Sequence, residues 1–101
     1  MDILKEVEVE EEDSLLYEEA LELLKEFEAE QKPSKVKLLN SAEKLTESVK
    51  HNQHHAKSYF LLAYIFYLLI DDKLAEKYLN VAKDLEIDKD RFKKLSELLH
   101  V

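Results

Sequence analysis

Apolar residues recur along much of this chain at the three- and four-residue steps of an α-helix. Three sets share the steps four, three and four: Leu16, Ala20, Leu23 and Phe27; Leu38, Ala42, Leu45 and Val49; and Leu74, Tyr78, Val81 and Leu85. Side chains at these steps lie on one face of a helix, and the remaining positions are mostly polar. The pattern therefore predicts amphipathic helices over about 14–30, 34–50 and 72–86.

Two further helices complete the predicted set. Residues 59–70 are apolar on every side, which is typical of a helix covered by neighbours all round, and they predict a central helix over about 54–70. Phe92, Leu95 and Leu99 share one side of a final helix over about 88–100, which suits a capping element. Residues 1–13 are rich in glutamate and are predicted to be an acidic tail, so the domain is predicted to span 14–101.

The ends of these helices carry their own signals. Asp13 or Ser14 is predicted to cap the first helix, and Asp71 or Asp72 the fourth, because their side chains accept hydrogen bonds from free N–H groups. Pro33 disfavours helical geometry in the residue before it and is best tolerated at the start of the next helix. Proline therefore separates the first two helices.

The stretch 56–88 carries a more specific pattern of small and large residues. In order they are Tyr59, Leu62, Ala63 and Phe66, then Ala75, Leu79 and Ala82. This resembles one unit of the tetratricopeptide repeat (TPR) family, a helix hairpin of about 34 residues. Parts of flanking units follow the same spacing: Ser41, Leu45 and Ser48 lie 34 residues before the second group, and Phe92, Leu95, Ser96 and Leu99 lie 33 residues after the first. Ala63 and Ile87 stand where the family usually has glycine and proline.

The resemblance implies an all-α, five-helix, TPR-like antiparallel helix-hairpin array, with a simple five-helix bundle as the alternative. In TPR modules the first helices of successive units line a groove for a peptide or a partner helix. By position, the groove-lining residues here would be Lys57, Phe60, Tyr64, Tyr67 and Leu68. We expect Tyr64 and Tyr67 to be partly exposed, the alternative being that the first and last helices cover this face and make it core.

Composition narrows the classes of function. The chain has no Gly and one Pro, which favours long helices, and no Cys, which excludes disulfides and Cys-ligated zinc. The net charge of −8 opposes nucleic-acid binding and favours a basic partner. The first thirty residues do not have the pattern of a signal peptide, and the longest apolar run is short of the roughly 20 residues that span a bilayer. We expect a cytoplasmic protein with no membrane partner.

Catalytic and metal motifs are missing from the sequence. It has no Gly-rich phosphate loop and no serine in a nucleophile elbow. His51, His54 and His55 suggest a metal site, but a predicted turn interrupts them and no acidic residue nearby completes a ligand set, so a solvated turn is expected. We therefore predict no enzyme activity, no metal and no cofactor.

The predicted function is that of a non-catalytic protein–protein interaction module. It would bind a peptide or partner helix through the aromatic face, with acidic residues steering a basic partner. Two rival hypotheses remain: a homodimer in which a second copy covers the apolar third helix, and an accessory or regulatory subunit of a larger complex.

Overall fold

The computed structural model of this chain describes residues 15–30 and 34–100, and these residues form five α-helices and no β-strand. The helices are α1 (Leu15–Ala29), α2 (Lys35–His51), α3 (Ala56–Leu68), α4 (Asp72–Asp84) and α5 (Lys89–Leu99). The all-α fold class is confirmed. The predicted acidic tail and the predicted caps Asp13 and Ser14 lie outside the described residues. None of the described helices is long and apolar enough to cross a membrane.

Three helices begin at a residue whose side chain accepts a hydrogen bond from a free backbone N–H. The Ser34 hydroxyl accepts from the N–H of Val36 at 3.2 Å at the start of α2. Asp71 does the same for α4 and Asp88 for α5, at 3.3 and 3.0 Å. These polar residues therefore fix where the chain turns into the next helix.

Three positions after helices adopt the left-handed conformation without a glycine. Ile70, Glu86 and His100 have φ values of 61°, 65° and 59°. After α3, the N–H of Asp71 donates to the carbonyl of Phe66 at 2.9 Å, the bond that closes a Schellman motif. Glycine is favoured at this position because a Cβ atom clashes with the following carbonyl oxygen. A β-branched residue such as Ile70 is therefore under backbone strain.

The helices pack as consecutive antiparallel hairpins. The two most extensive interfaces join α1 to α2 and α3 to α4, while α2 against α3 and α4 against α5 are smaller. α5 also touches α3. Two side-chain contacts place α1 beside α3 with the same direction: Tyr17 with His55 near their starts, and Glu28 with Tyr64 further along. The described chain is therefore a stack of two helix pairs closed by a single helix.

The small–large–small sets lie at the centre of this stack. Ser41, Leu45 and Ser48 of α2, and Ala75, Leu79 and Ala82 of α4, are all buried. Small side chains at both ends of each set let the neighbouring backbone approach closely. In α1 the buried set is Tyr17, Ala20, Leu21 and Leu24.

In α1 and α4 the predicted apolar stripe is therefore not the face that is buried in the core. Leu16, Leu23 and Phe27 of α1 are half-buried, as are Leu74, Tyr78, Val81 and Leu85 of α4. Both helices carry two adjoining apolar stripes, and the buried one contains Tyr17, Leu21 and Leu24 in α1 and Ala75, Leu79 and Ala82 in α4. The predicted stripes pack along the edge of the core instead.

Hydroxyl groups join the first three helices inside the core. The Ser41 hydroxyl donates to the carbonyl of Ala20 across α1 and α2 at 2.9 Å. Ser48 of α2 and Ser58 of α3 are hydrogen-bonded at 3.1 Å, and His55 Nδ1 lies 2.6 Å from the Ser58 hydroxyl. These bonds satisfy polar groups that water does not reach, so the buried serines are tolerated.

Candidate protein-binding face

The five predicted groove residues occupy one stripe of α3, which we call the α3 face: Lys57, Phe60, Tyr64, Tyr67 and Leu68. The structure buries the middle of this stripe. Phe60 and Tyr64 are each only 1% exposed, and they belong to the same apolar cluster as Leu21 and Leu24 of α1. The expectation that Tyr64 is partly exposed is therefore wrong, and for these two aromatics the alternative of ordinary core holds.

α1 provides the cover for Tyr64. The Tyr64 hydroxyl donates a hydrogen bond to a carboxylate oxygen of Glu28, near the end of α1. Burial raises the pKa of Tyr64 above its ordinary value, and the bond to Glu28 raises it further, because both oppose formation of a buried phenolate. Tyr64 is therefore a neutral donor that attaches α3 to α1.

Tyr67 remains accessible one turn further along α3. It is half-buried, and its ring stacks on that of Tyr64 with centroids 6.4 Å apart and planes at 19°. Leu68 beside it is half-buried too, as is Lys57 at the other end of the stripe. The accessible part of the α3 face thus consists of one oriented aromatic ring, one leucine and one lysine.

A second aromatic group lies between α3 and α4. The Tyr78 ring stacks on Phe66 with centroids 5.5 Å apart and on Tyr59 at 6.3 Å. Tyr59 and Phe66 are half-buried and packed against the core cluster. This stack contributes to hairpin packing rather than to a free surface.

Acidic side chains of α1 lie along its contact with α2. Lys44 pairs with Glu19 at 2.6 Å, and Lys37 pairs with Glu30 and with Glu26 at 3.9 Å. The hydrogen bond to Glu30 is the main cause of a raised pKa for Lys37. These pairs are partly exposed, so each adds little to stability. The first turns of α1 remain acidic.

The histidines are arranged around the turn before α3. His51 ends α2, His54 is exposed, and His55 contacts Tyr17 edge-on at 4.9 Å in addition to its bond to Ser58. Within residues 15–30 and 34–100, no three His, Cys, Asp or Glu side chains form a group that could hold a metal ion. His55 has a structural role in the hydroxyl network.

Two features of the site were not visible in the sequence pattern. Glu28 lies 36 residues from Tyr64, and nothing in the spacing of either helix pairs them. Ile70 lies two residues after the end of α3 and is 86% exposed. The same residue has the left-handed backbone conformation, with φ 61°.

Comparison with protein-family models, with curated proteins and with solved structures found no match to this chain.

Proposed function

We propose that this chain is a non-catalytic, TPR-like module that binds another protein or a peptide through the accessible part of the α3 face. The observation that carries this proposal is the pair Tyr67 and Leu68, which stay half-exposed on a helix whose other apolar residues are largely buried. An aromatic ring beside an aliphatic side chain is a common anchor in protein interfaces.

The hairpin packing supports the TPR-like part of the proposal. Positions that match the family's small–large–small set are buried in both α2 and α4. Leu95 of α5 is buried as well, 33 residues after Leu62, which occupies the same place in α3. The repeat seen in the sequence therefore coincides with a repeat in burial.

Preorganisation explains how so small a face could bind. The Tyr67 ring is already held against Tyr64, and Tyr64 is fixed by its bond to Glu28. A partner that packs on Tyr67 therefore loses less side-chain freedom than it would on a mobile ring. Acidic residues on neighbouring α1 would attract a partner that has basic residues around its apolar anchor. We propose that this binding takes place in the cytoplasm.

The rival in which a second copy covers α3 has less support than the binding of another protein. Seven residues of α3 are buried within a single copy of the chain. The apolar third helix therefore needs no second copy to cover it. An accessory subunit of a larger complex would use the same α3 face, so it is a special case of the proposed binding.

The test is an affinity capture with two matched variants. Tyr67→Ser/Leu68→Ser removes the proposed anchor, and Val36→Ser/Leu39→Ser removes two apolar side chains from α2 that are 61% and 56% exposed. Buried Tyr64 is left intact so that the core is not disturbed. We expect quantitative mass spectrometry to show partners lost from the α3 variant and retained by the α2 variant.

Two results would overturn the proposal. One is equal retention of all partners by the α3 variant while its far-UV spectrum and melting midpoint match those of the unaltered chain. The other is capture that increases with added salt, since attraction between an acidic surface and a basic partner weakens as salt screens it.

A further inference from the structure

Charge is divided unevenly along this chain. Thirteen of the 23 acidic residues, but only two of the 15 lysines and arginines, lie in residues 1–30, which gives −11 for that segment. Residues 31–101 hold the other ten acidic and thirteen basic residues and carry +3 of the total of −8. The two ends of the helix stack therefore differ in sign, with α1 acidic and α5 basic.

The acidic end presents an apolar side chain. Leu15 begins α1 and is 68% exposed, and Glu18 and Glu22 follow it on the same stripe. Neither glutamate forms an ion pair within the part of the chain that the structure describes, although Lys25 lies one turn further on. We call these three residues, Leu15, Glu18 and Glu22, the α1 knob.

The basic end presents an apolar cleft. Where α4 ends and α5 begins, a cleft of about 570 Å³ is lined by Ile87 and Phe92 together with Lys83, Glu86, Asp88 and Lys89. Lys83 Nζ lies 5.5 Å from the centre of the Phe92 ring. Lys93 is exposed one turn beyond Lys89, and neither of these two lysines forms an ion pair with a described residue.

The two surfaces combine exposed apolar groups with side-chain pairs of opposite charge, although Glu86 and Asp88 also lie in the wall of the cleft. A leucine side chain projects from one, and the other holds an open cleft with an isoleucine and a phenylalanine in its wall. Glu18 and Glu22 are four residues apart, and so are Lys89 and Lys93, which places each pair about 6 Å apart along one helix face. Both pairs belong to the same chain, but the glutamates lie on α1 and the lysines on α5.

We propose that copies of this chain associate head to tail, with the α1 knob of one copy seated in the α4–α5 cleft of the next. This goes beyond the proposed function because it uses neither Tyr67 nor Leu68. Such a contact is heterologous: each added copy leaves one knob and one cleft free, so growth does not stop at a dimer. An interface of one leucine and two charge pairs is small, and we expect a dissociation constant of about 0.1–1 mM.

Sedimentation of the full chain over about 10 μM to 1 mM tests the proposal. We expect a weight-average mass that rises with concentration past that of a dimer and falls when salt is added. A single monomeric species across this range, or a dimer that takes up no further copies, would overturn head-to-tail association.

Charge reversal gives the sharper arm of the test. Glu18→Lys/Glu22→Lys makes the knob basic, and Lys89→Glu/Lys93→Glu makes the cleft acidic. Each variant alone is expected to be monomeric, because its knob and its cleft then carry the same sign. An equimolar mixture is expected to associate again, since the basic knob of one variant meets the acidic cleft of the other.

Matched controls separate this from an effect of net charge. Glu43→Lys/Glu47→Lys on α2 and Lys73→Glu/Lys77→Glu on α4 change the same number of exposed charges at the same spacing. Both controls are expected to associate as the unaltered chain does. Loss of association in the controls, or a mixture of reversed variants that stays monomeric while each is folded by circular dichroism, would refute the proposed contact.

Discussion

Replacing Ile70 with glycine is expected to stabilise the protein, although it removes a large apolar side chain. Ile70 follows α3 with φ 61°, a conformation that a β-branched residue adopts only under strain. The same residue is 86% exposed, so its side chain contributes little packing. Glycine has no Cβ and adopts this conformation without strain.

The size of the effect follows from three opposing contributions. A left-handed conformation costs an ordinary residue about 1–2 kcal/mol, and a β-branched residue lies at the upper end. Glycine loses more conformational freedom on folding, which reduces the gain in stability by about 0.5–1 kcal/mol. Full burial of an isoleucine is worth about 1.5–3 kcal/mol, so the small covered fraction of Ile70 contributes about 0.3 kcal/mol. The net gain for Ile70→Gly is about 0.5–1 kcal/mol.

Urea and thermal unfolding monitored by far-UV circular dichroism would measure this gain. For a chain of this size a gain of that order raises the melting midpoint by about 2–8 °C. Ile70→Val is the matched control: it keeps the branched Cβ, keeps the strain, and should unfold like the unaltered protein. A free energy of unfolding for Ile70→Gly at or below that of the unaltered chain would refute the strain reasoning.

Three further predictions address the core and the α1 contact. Ala82→Leu should lower the free energy of unfolding by about 1–3 kcal/mol because Ala82 is fully buried, whereas Asn80→Leu on the exposed side of α4 should change it little. An unchanged midpoint of unfolding for Ala82→Leu would contradict close packing of α3 on α4. Leu95→Ala should cost about 2–4 kcal/mol by urea unfolding and increase hydrogen exchange in α5 first, because Leu95 is the one residue of α5 that is fully buried; uniform exchange would contradict this. Tyr64 has a raised pKa in the folded protein, so the free energy of unfolding should fall above about pH 10, where the unfolded chain loses the phenol proton and the folded chain keeps it. Urea titrations at about pH 9 and 11 should show a smaller fall for Tyr64→Phe, and an equal fall in both proteins would contradict this reasoning.

The helices themselves were predictable from the sequence. Periodicity, Pro33 and the acidic cap Asp71 locate five segments, and residues 15–30 and 34–100 form five helices whose ends differ from the predicted ones by at most two residues. The third helix, for example, was predicted over about 54–70 and occupies Ala56–Leu68. Local signals suffice here because caps and proline act within one turn.

The orientation of those helices was less predictable. α1 carries two adjoining apolar stripes, and periodicity favours Leu16, Leu23 and Phe27 as readily as the buried residues Tyr17, Leu21 and Leu24. Only packing against a neighbouring helix distinguishes the two stripes, because the stripe that lets the two helices approach most closely is the one that becomes buried. In α4 the spacing shared with the TPR family, Ala75, Leu79 and Ala82, did coincide with the buried residues.

The candidate site was predicted only in part. The stripe on α3 exists, and its ends at Lys57 and Leu68 are accessible, but its middle is covered. The cover depends on the position of α1, which the pattern within α3 does not encode. Glu28 and Tyr64 meet because the chain brings two distant helices side by side.

The stack of Tyr59, Tyr78 and Phe66 should contribute to the near-ultraviolet circular dichroism of the folded protein. The chain has no tryptophan, so its near-ultraviolet circular dichroism arises from tyrosine and phenylalanine alone. Rings locked against one another give such a signal, and it disappears when fixed packing is lost even if the helices persist. Loss of the fixed packing of these rings and of the Tyr64–Tyr67 stack can therefore be followed spectroscopically, without attaching a label.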